Sequence, residues 1–533
     1  MSRCSTFVTF LIYDPLKILV SVLVTVFLVL PVIVIVFGSN AIVRLFVSCY
    51  LHLQFDGKVR LVSDGKDGIF CHLRKVYLRT LLEYDLPFDI EKFEKLIKNN
   101  LLSDGGGSSG TKDAYGWKMR QVITQQCGYF CWKEDENFTW SNHCRTLSTE
   151  KPVSRKQLLN IIDGLSDDLG ELQPQWEVIY IPNIENKRFG ILVNFHHGYS
   201  DGLALITMIA ERLSPVKPFP YVLNPLVNTV PWQTRLLFDV KVYLFLGWAV
   251  LKLYLFLGWA VLKRFIRSRK NQDMKAFASV DELDEGIPEH CHLAKVDLPS
   301  DTIKTIRNMA NVPIPAILIS IYTKSLETIL ISRGDTVPKE IACGYTVTKF
   351  PYKKELSNRM VLIETEASVH KYGLDDNLVS SLEETATGLS KSFDECYATH
   401  DFSMVGKLPC KFIKVPRIAP GWFLHANIPF ARKPVKIGGA VPVAVSAWPT
   451  LIRGYPYQLV ASNISYGKTI SACLIAKASK FSLEEMDELV KQLPRQLKAL
   501  ERYVCQQAHA TMNDQDFDCL PARTSHICLH NAK

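Results

Sequence analysis

An α/β fold in two halves behind an N-terminal transmembrane anchor is what this chain of 533 residues predicts. Three observations carry that expectation. An uncharged apolar run lies near the start, a strand-to-helix corner sits around residue 197, and strand and helix patterns succeed one another from Cys291 to Tyr503. So long a chain exceeds one ordinary core, which implies more than one domain. The expected organisation is a membrane anchor and interfacial segment (1–60), a first half (61–230), an embedded segment with a basic linker (231–285), a second half (286–503) and a disordered tail (504–533).

The anchor is the stretch from Ile18 to Phe37, 20 residues without a charge. That length suffices to cross roughly 30 Å of hydrocarbon. No A-x-A-like cleavage site follows it, so an uncleaved anchor is expected rather than a signal peptide. Arg3 and Lys17 flank it on one side, with Arg44, Lys58 and Arg60 on the other, a bias towards a cytosolic body. Ala41–Leu53, broken by Arg44 and His52, reads as an interfacial stretch. The glycine–serine run between Leu102 and Gly110 reads as a flexible loop; it lacks the lysine of a phosphate-binding loop.

Ile191–His197 has the unbroken apolar character of a buried strand, and Leu203–Leu213 carries Leu205, Met208, Ile209 and Leu213 at helical spacing. Between them lies His196-His-Gly-Tyr-Ser-Asp-Gly202, on a strand-to-helix corner. Further on, Lys241–Leu251 is repeated almost unchanged as Lys252–Leu262, and Lys263, Arg264, Arg267, Arg269 and Lys270 follow as a basic cluster. An 11-residue period is close to three helical turns, so the lysines share one face. A single membrane crossing here would separate the two halves, so a helix or hairpin embedded in one leaflet is expected, with a spanning helix as the alternative.

In the second half, strands are expected at His292–Val296, Ile341–Thr348 and Val361–Val369, and within Val441–Ile475. Helices are expected at Ser300–Met309, Ile314–Leu330 and Asp375–Tyr397. A last helix, Phe481–Tyr503, is opened by the capping box Ser482-x-x-Glu485.

The net charge of +9 comes without zinc-finger spacing or RNP-like aromatics, which disfavours nucleic acid and favours an anionic membrane surface or an acidic ligand such as a CoA thioester. The 14 cysteines include no C-x-x-C pair, and Cys127, Cys131, His143 and Cys144 match no standard zinc motif, so no metal is expected. Scattered cysteines suit a reducing compartment. Two sequons, at Asn137 and Asn463, offer a probe of topology.

The corner satisfies two catalytic patterns. Gly198-Tyr-Ser-Asp-Gly202 is G-x-S-x-G, in which Ser200 would be a nucleophile. His196–Gly202 is equally H-H-x-x-x-D-G, in which a neutral imidazole, with an ordinary pKa of about 6.5, takes a proton from a hydroxyl. Strand alternation points His196 and His197 to opposite faces, so only one of them lines a channel. No upstream His-Gly oxyanion element or repeated βα units support the hydrolase.

With these residues, Phe138, His143, Asp167–Glu177, Asn358, Asn427-Ile-Pro429 and Ser465-Tyr-Gly467, in this order, the chain resembles the wax ester synthase/acyl-CoA:diacylglycerol acyltransferase family over roughly 130–215 and 290–500. The resemblance implies two chloramphenicol-acetyltransferase-like α/β sandwich domains with a channel between them. It implies His197 as general base, His196 as mainly structural, Asp201 as an orienting residue and Gly202 as a close-packing one. Asn358 and Asn427 would bind substrate, Asn427 contributing to an oxyanion site. The reaction would pass an acyl chain from CoA, a co-substrate, to diacylglycerol or a fatty alcohol, with no cofactor, metal or covalent intermediate. The sequence departs from the family in lacking Asn-Asp near Ile314-Pro315, in having Lys349 for an arginine, and in having Phe430-Ala431 for Gly-Pro. A membrane-anchored acyltransferase is therefore expected, at the endoplasmic reticulum or plasma membrane with a cytosolic body. A serine hydrolase using Ser200, or a non-catalytic lipid-binding protein on the same fold, is the alternative.

Overall fold

The computed structural model describes residues 34–102, 116–214, 288–348, 355–368, 378–399, 402–413 and 421–514, less residues 148, 150, 166–168, 171, 339 and 454. Most of the expected anchor, the glycine–serine loop, the duplicated segment and Lys349 lie outside the described residues.

The first half contains α1 (Ser39–Gln54), β1 (Val59–Leu61), α2 (Gly65–His72), β2 (Tyr77–Asp85), α3 (Ile90–Leu101), β3 (Gln121–Gln126), β4 (Tyr129–Glu134), β5 (Cys144–Thr146), α4 (Arg155–Asp163), β6 (Trp176–Ile184), β7 (Arg188–His196) and α5 (Gly202–Leu213). The second contains β8 (Cys291–Pro299), α6 (Ser300–Ala310), α7 (Ile314–Arg333), β9 (Glu340–Thr348), β10 (Met360–Ser368), α8 (Leu378–Thr399), β11 (Gly421–Ala431), β12 (Ala444–Pro449), β13 (Tyr457–Tyr466), β14 (Thr469–Lys477) and α9 (Leu483–Asp514).

These strands form a five-stranded sheet, β12-β2-β7-β6-β5, a six-stranded sheet, β10-β9-β11-β13-β14-β8, and a small sheet, β1-β4-β3. The expected boundary at 286 is thus crossed. β12 pairs antiparallel with β2, Ala444 opposite Glu83 and Pro449 opposite Leu78, and so completes the first half's sheet. Alternation explains its fit: Val445 and Ala447 enter the first half's core, while Trp448 faces the layer between the sheets.

Helices α6, α7 and α9 cover one face of the six-stranded sheet through Ile306, Ile317, Leu326 and Leu493. The opposite face meets the first half, where Leu81, Ile179 and Leu192 pack with Leu424, Val460 and Ile475. Beside this apolar layer Glu83 is buried with Lys295 and paired to Arg155 and Arg188. Burial alone would raise the Glu83 carboxyl, but these cations hold it below its ordinary range.

The capping box forms at α9, where Ser482 N–H donates to Glu485 Oε2 at 2.8 Å and Glu485 N–H to Ser482 Oγ at 3.3 Å. This helix runs on to Asp514, past the expected end at Tyr503, and its buried stripe through Leu497 and Leu500 ends at Val504. Helix α7, though long and apolar enough to cross a membrane, belongs to the core. α1 instead exposes Ile42, Leu45, Phe46 and Leu53. Its other side docks through Arg44, whose Nη1 donates to Lys407 O at 3.1 Å and Nη2 to Val62 O at 2.7 Å. The shared sheet excludes any arrangement with the two halves on opposite sides of a membrane.

Candidate active site

β7 ends at His196, and the chain turns through Gly198 into α5, as the apolar strand and helical spacing predict. His196 is fixed at both ring nitrogens: Nδ1 accepts from Gly198 N–H at 3.0 Å, and Nε2 lies 3.0 Å from Arg74 O, to which it donates. Both nitrogens are thus engaged with the backbone.

His197 lies in a different setting. Its ring is 3.7 Å from that of Phe70, centroid to centroid, with the planes 7° apart. Its Nδ1 is buried without a hydrogen bond. Burial lowers the ring's pKa to about 4, against a smaller upward influence from its own carbonyl and from Asn358. The imidazole is therefore neutral at pH 7, the form that accepts a proton.

Asp201 caps α5, Oδ1 accepting from Ala204 N–H at 2.8 Å, while Oδ2 accepts from Arg359 N–H at 2.7 Å. One carboxylate thus starts a helix of the first half and clips a loop of the second. Burial raises its pKa, opposed by those two bonds and by Lys66 nearby. Gly202 packs closely: a Cβ there would come 2.8 Å from Ile428 Cδ1, the end of a side chain on β11.

Ser200 is wholly buried, and its hydroxyl donates to Asp201 O at 3.0 Å. A serine nucleophile hydrogen-bonds its base and faces substrate, and Ser200 does neither. The hydrolase reading of the motif loses its geometry here.

Asn358 reaches the heptad directly. Its Nδ2 donates to His197 O at 2.7 Å and to Asp67 Oδ1 at 2.9 Å, and its own N–H also donates to Asp67 Oδ1 at 2.9 Å. It is 1% exposed, so it meets protein rather than the open site expected of a substrate-binding residue. Asn427 is not joined to this cluster. It is half-buried on the face of β11 that carries His425, opposite to Ile428, with Oδ1 buried and unpaired.

Three groups at this site were not singled out from sequence: Asp67 and Phe70 on α2, and Lys118 in the helical turn Gly116–Met119. Lys118 Nζ donates to Asp67 Oδ2 at 2.6 Å, Tyr199 O at 2.7 Å and Leu356 O at 2.9 Å. Charged residues are normally assigned to solvent, so only the Asp64-Gly-Lys-Asp-Gly-Ile-Phe70 alternation of glycine, charge and aromatic could have flagged this helix.

The other motif residues are packing elements. His143 stacks on Trp176 with centroids 4.3 Å apart and on Phe138 at 4.9 Å, and its Nδ1 lies 2.8 Å from Trp176 O. Asn463 is wholly buried between Tyr322 and His425, so its sequon is closed to a glycosyltransferase, while Asn137 is exposed.

Comparison with known proteins bears on the family and the fold. Residues 109–240 match the wax ester synthase/diacylglycerol acyltransferase catalytic domain. The chain is 21% identical over 398 residues to the O-acyltransferase WSD of Acinetobacter baylyi, spanning 70% of this chain and 84% of that one. It is 32% identical over 84 residues to a putative diacylglycerol O-acyltransferase of Mycobacterium tuberculosis, a stretch covering 16% of this chain and 17% of that protein. In fold it is similar to a wax ester synthase/diacylglycerol acyltransferase from Marinobacter aquaeolei, with a TM-score of 0.52 at 14% identity, over 84% of this chain and 99% of that one.

Proposed function

Because the chain belongs to the wax ester synthase/diacylglycerol acyltransferase family and is an acyltransferase, we propose that it esterifies a lipid alcohol, diacylglycerol or a fatty alcohol, from an acyl-CoA, with His197 as general base. The two sheets with their helices are read as a pair of chloramphenicol-acetyltransferase-like sandwiches, joined where the substrates meet. In this reaction the alcohol's proton passes to the imidazole as its oxygen attacks the thioester carbon. The C–S bond then breaks, and the proton leaves with the CoA thiolate. No cofactor, metal or acyl-enzyme is needed. The observation that carries the reading is the contrast within one turn: His197 is neutral and held flat by Phe70, while the Ser200 hydroxyl is spent on Asp201 O.

A membrane setting follows from the substrates, which partition into lipid, and from the outward apolar residues of α1, which continue the uncharged run before them. We place a single-pass anchor at the N-terminus and the body in the cytosol, on the endoplasmic reticulum or plasma membrane. Because Asn137 is the exposed sequon, a glycosidase-sensitive mass shift abolished by Asn137→Gln would overturn that placement.

The functional test is a pair of variants in membranes given labelled acyl-CoA with diacylglycerol, fatty alcohol or sterol. His197→Ala is expected to abolish ester formation, and Ser200→Ala to retain it. The reverse pattern would establish a hydrolase-type serine. Wild-type membranes making no ester from any acceptor would point to a lipid-binding protein.

A further inference from the structure

Among the described residues, Asn358 is a side chain of the second half that bonds to His197, and its orientation is unambiguous. Both partners of Nδ2, the His197 carbonyl and the Asp67 carboxylate, are acceptors, so the amide nitrogen must face them and Oδ1 must point elsewhere. Oδ1 is buried and has no hydrogen bond, as is true of Nδ1 of His197. The Asn358 side chain is nonetheless near enough to the imidazole to favour its protonated form. The ring's own carbonyl has the larger influence of the two; it also accepts the 2.7 Å bond from Asn358, which leaves it one lone pair.

Behind Asn358 lies an ion pair with almost no access to water: Lys118 and Asp67 side chains are 3% and 5% exposed and 2.6 Å apart. Burial raises Asp67 to a pKa of about 6, which leaves it ionised at pH 7. A buried pair of this kind contributes little net stability, because desolvation offsets the attraction. What it does supply is direction. Lys118 fixes Oδ2, leaving Oδ1 for two N–H groups of Asn358.

We propose that Asn358 is a positioning residue for the base, its Oδ1 accepting the Nδ1–H of His197 as the ring takes the alcohol's proton, and that the Asp67–Lys118 pair holds the amide for this task. The inference rests on the reading of His197 as general base. A base that uses Nε2 must carry its hydrogen on Nδ1, and a buried N–H without an acceptor is costly in either charge state. In a site of low dielectric, an oriented carbonyl is worth most when the ring becomes cationic, which happens only on the way to the transition state. Asp67 polarises the amide from behind, while Lys118 keeps the cluster neutral.

The test uses the full chain in membranes, with kcat and both KM values measured for Asn358→Ala and for the double variant Asp67→Asn with Lys118→Met. The double variant removes both charges together, so that neither is left buried alone. Each loses buried hydrogen bonds and is expected to melt lower than wild type, while the folded fraction shows kcat lowered about 100-fold with both KM values within about twofold of wild type. That split marks positioning, since a merely structural defect would lower the amount of folded protein without lowering kcat per folded molecule. If either folded variant keeps kcat within about threefold while His197→Ala is inactive, the inference is overturned and the base stands. If His197→Ala is itself active, the base reading falls, and this inference with it.

Discussion

The ring of Phe70 lies flat on the ring of His197, centroids 3.7 Å apart. One helical turn before Phe70, Asp67 reaches the same histidine through Asn358. Helix α2 therefore holds His197 twice, its ring by a face contact and its backbone carbonyl through the hydrogen-bonded chain of Asp67 and Asn358. Phe70→Ala should remove the face contact and admit water beside the ring. The expected results are a fall in kcat of about tenfold or more and a rise of the His197 pKa from about 4 towards its ordinary value. The pH dependence of kcat/KM checks both, its acid limb moving to higher pH. Phe70→Leu, which restores volume without a flat surface, should recover stability but only part of kcat.

Two glycines near the site predict a contrast. A Cβ at Gly68 would lie 2.1 Å from Gly406 O, a backbone atom that cannot swing aside. At Gly202 the obstacle is the tip of the Ile428 side chain at 2.8 Å, which can rotate. Gly68→Ala should displace α2, with its Asp67 and Phe70, and lose stability by about 3 kcal/mol together with most activity. Gly202→Ala should cost about 1 kcal/mol, and Gly202→Ala with Ile428→Val should recover it. Thermal melts and turnover of the same preparations separate the two cases.

Acid should weaken the fold before most carboxylates titrate. Burial depresses His196 and His197 to about 4 and His425 to about 3. Depressed histidines bind protons more readily when unfolded, so their contribution is fully present above about pH 6.5 and is lost as pH falls through the folded values. Asp67, raised to about 6, and Asp201, also raised by burial, have the opposite sign and gain stability as they protonate. His143 and His292 are lowered by burial too, so five histidines oppose these two carboxyls. Unfolding midpoints in urea should therefore fall between about pH 6.5 and 4. His425→Gln, remote from the heptad, should flatten the slope by about one proton's worth. An unchanged slope would remove His425 from the account.

Local order was legible in the sequence wherever one element decides its own form. The β7–α5 corner follows from an apolar run, a glycine and helical spacing; the start of α9 follows from Ser482 and Glu485. Whatever depends on a distant partner was not. Nothing in Val445 or Ala447 says that their neighbour is β2 rather than the second half's own sheet. Charges are read as solvated, which hid the Asp67–Lys118 pair. The donor to Asp201 is the backbone N–H of Arg359, an atom every residue but proline carries, so no side-chain pattern reveals it. The ambiguity of the heptad was also beyond local sequence, because the strand–corner–helix is the same for serine and histidine chemistry. What favours the histidine reading is three-dimensional: the hydrogen bond of the Ser200 hydroxyl and the stacking of the His197 ring.

The edge position of β12 has a consequence for how this protein is made. β2 leaves the ribosome with its partner β7 following about a hundred residues later, but its other neighbour begins only at Ala444. At roughly 10 residues per second, the nascent first half waits about half a minute with that edge unpaired. Such an edge invites pairing with any other strand, including those of neighbouring chains on the same message. Adding Ala444–Pro449 as a separate peptide during translation should therefore compete with the chain's own late strand.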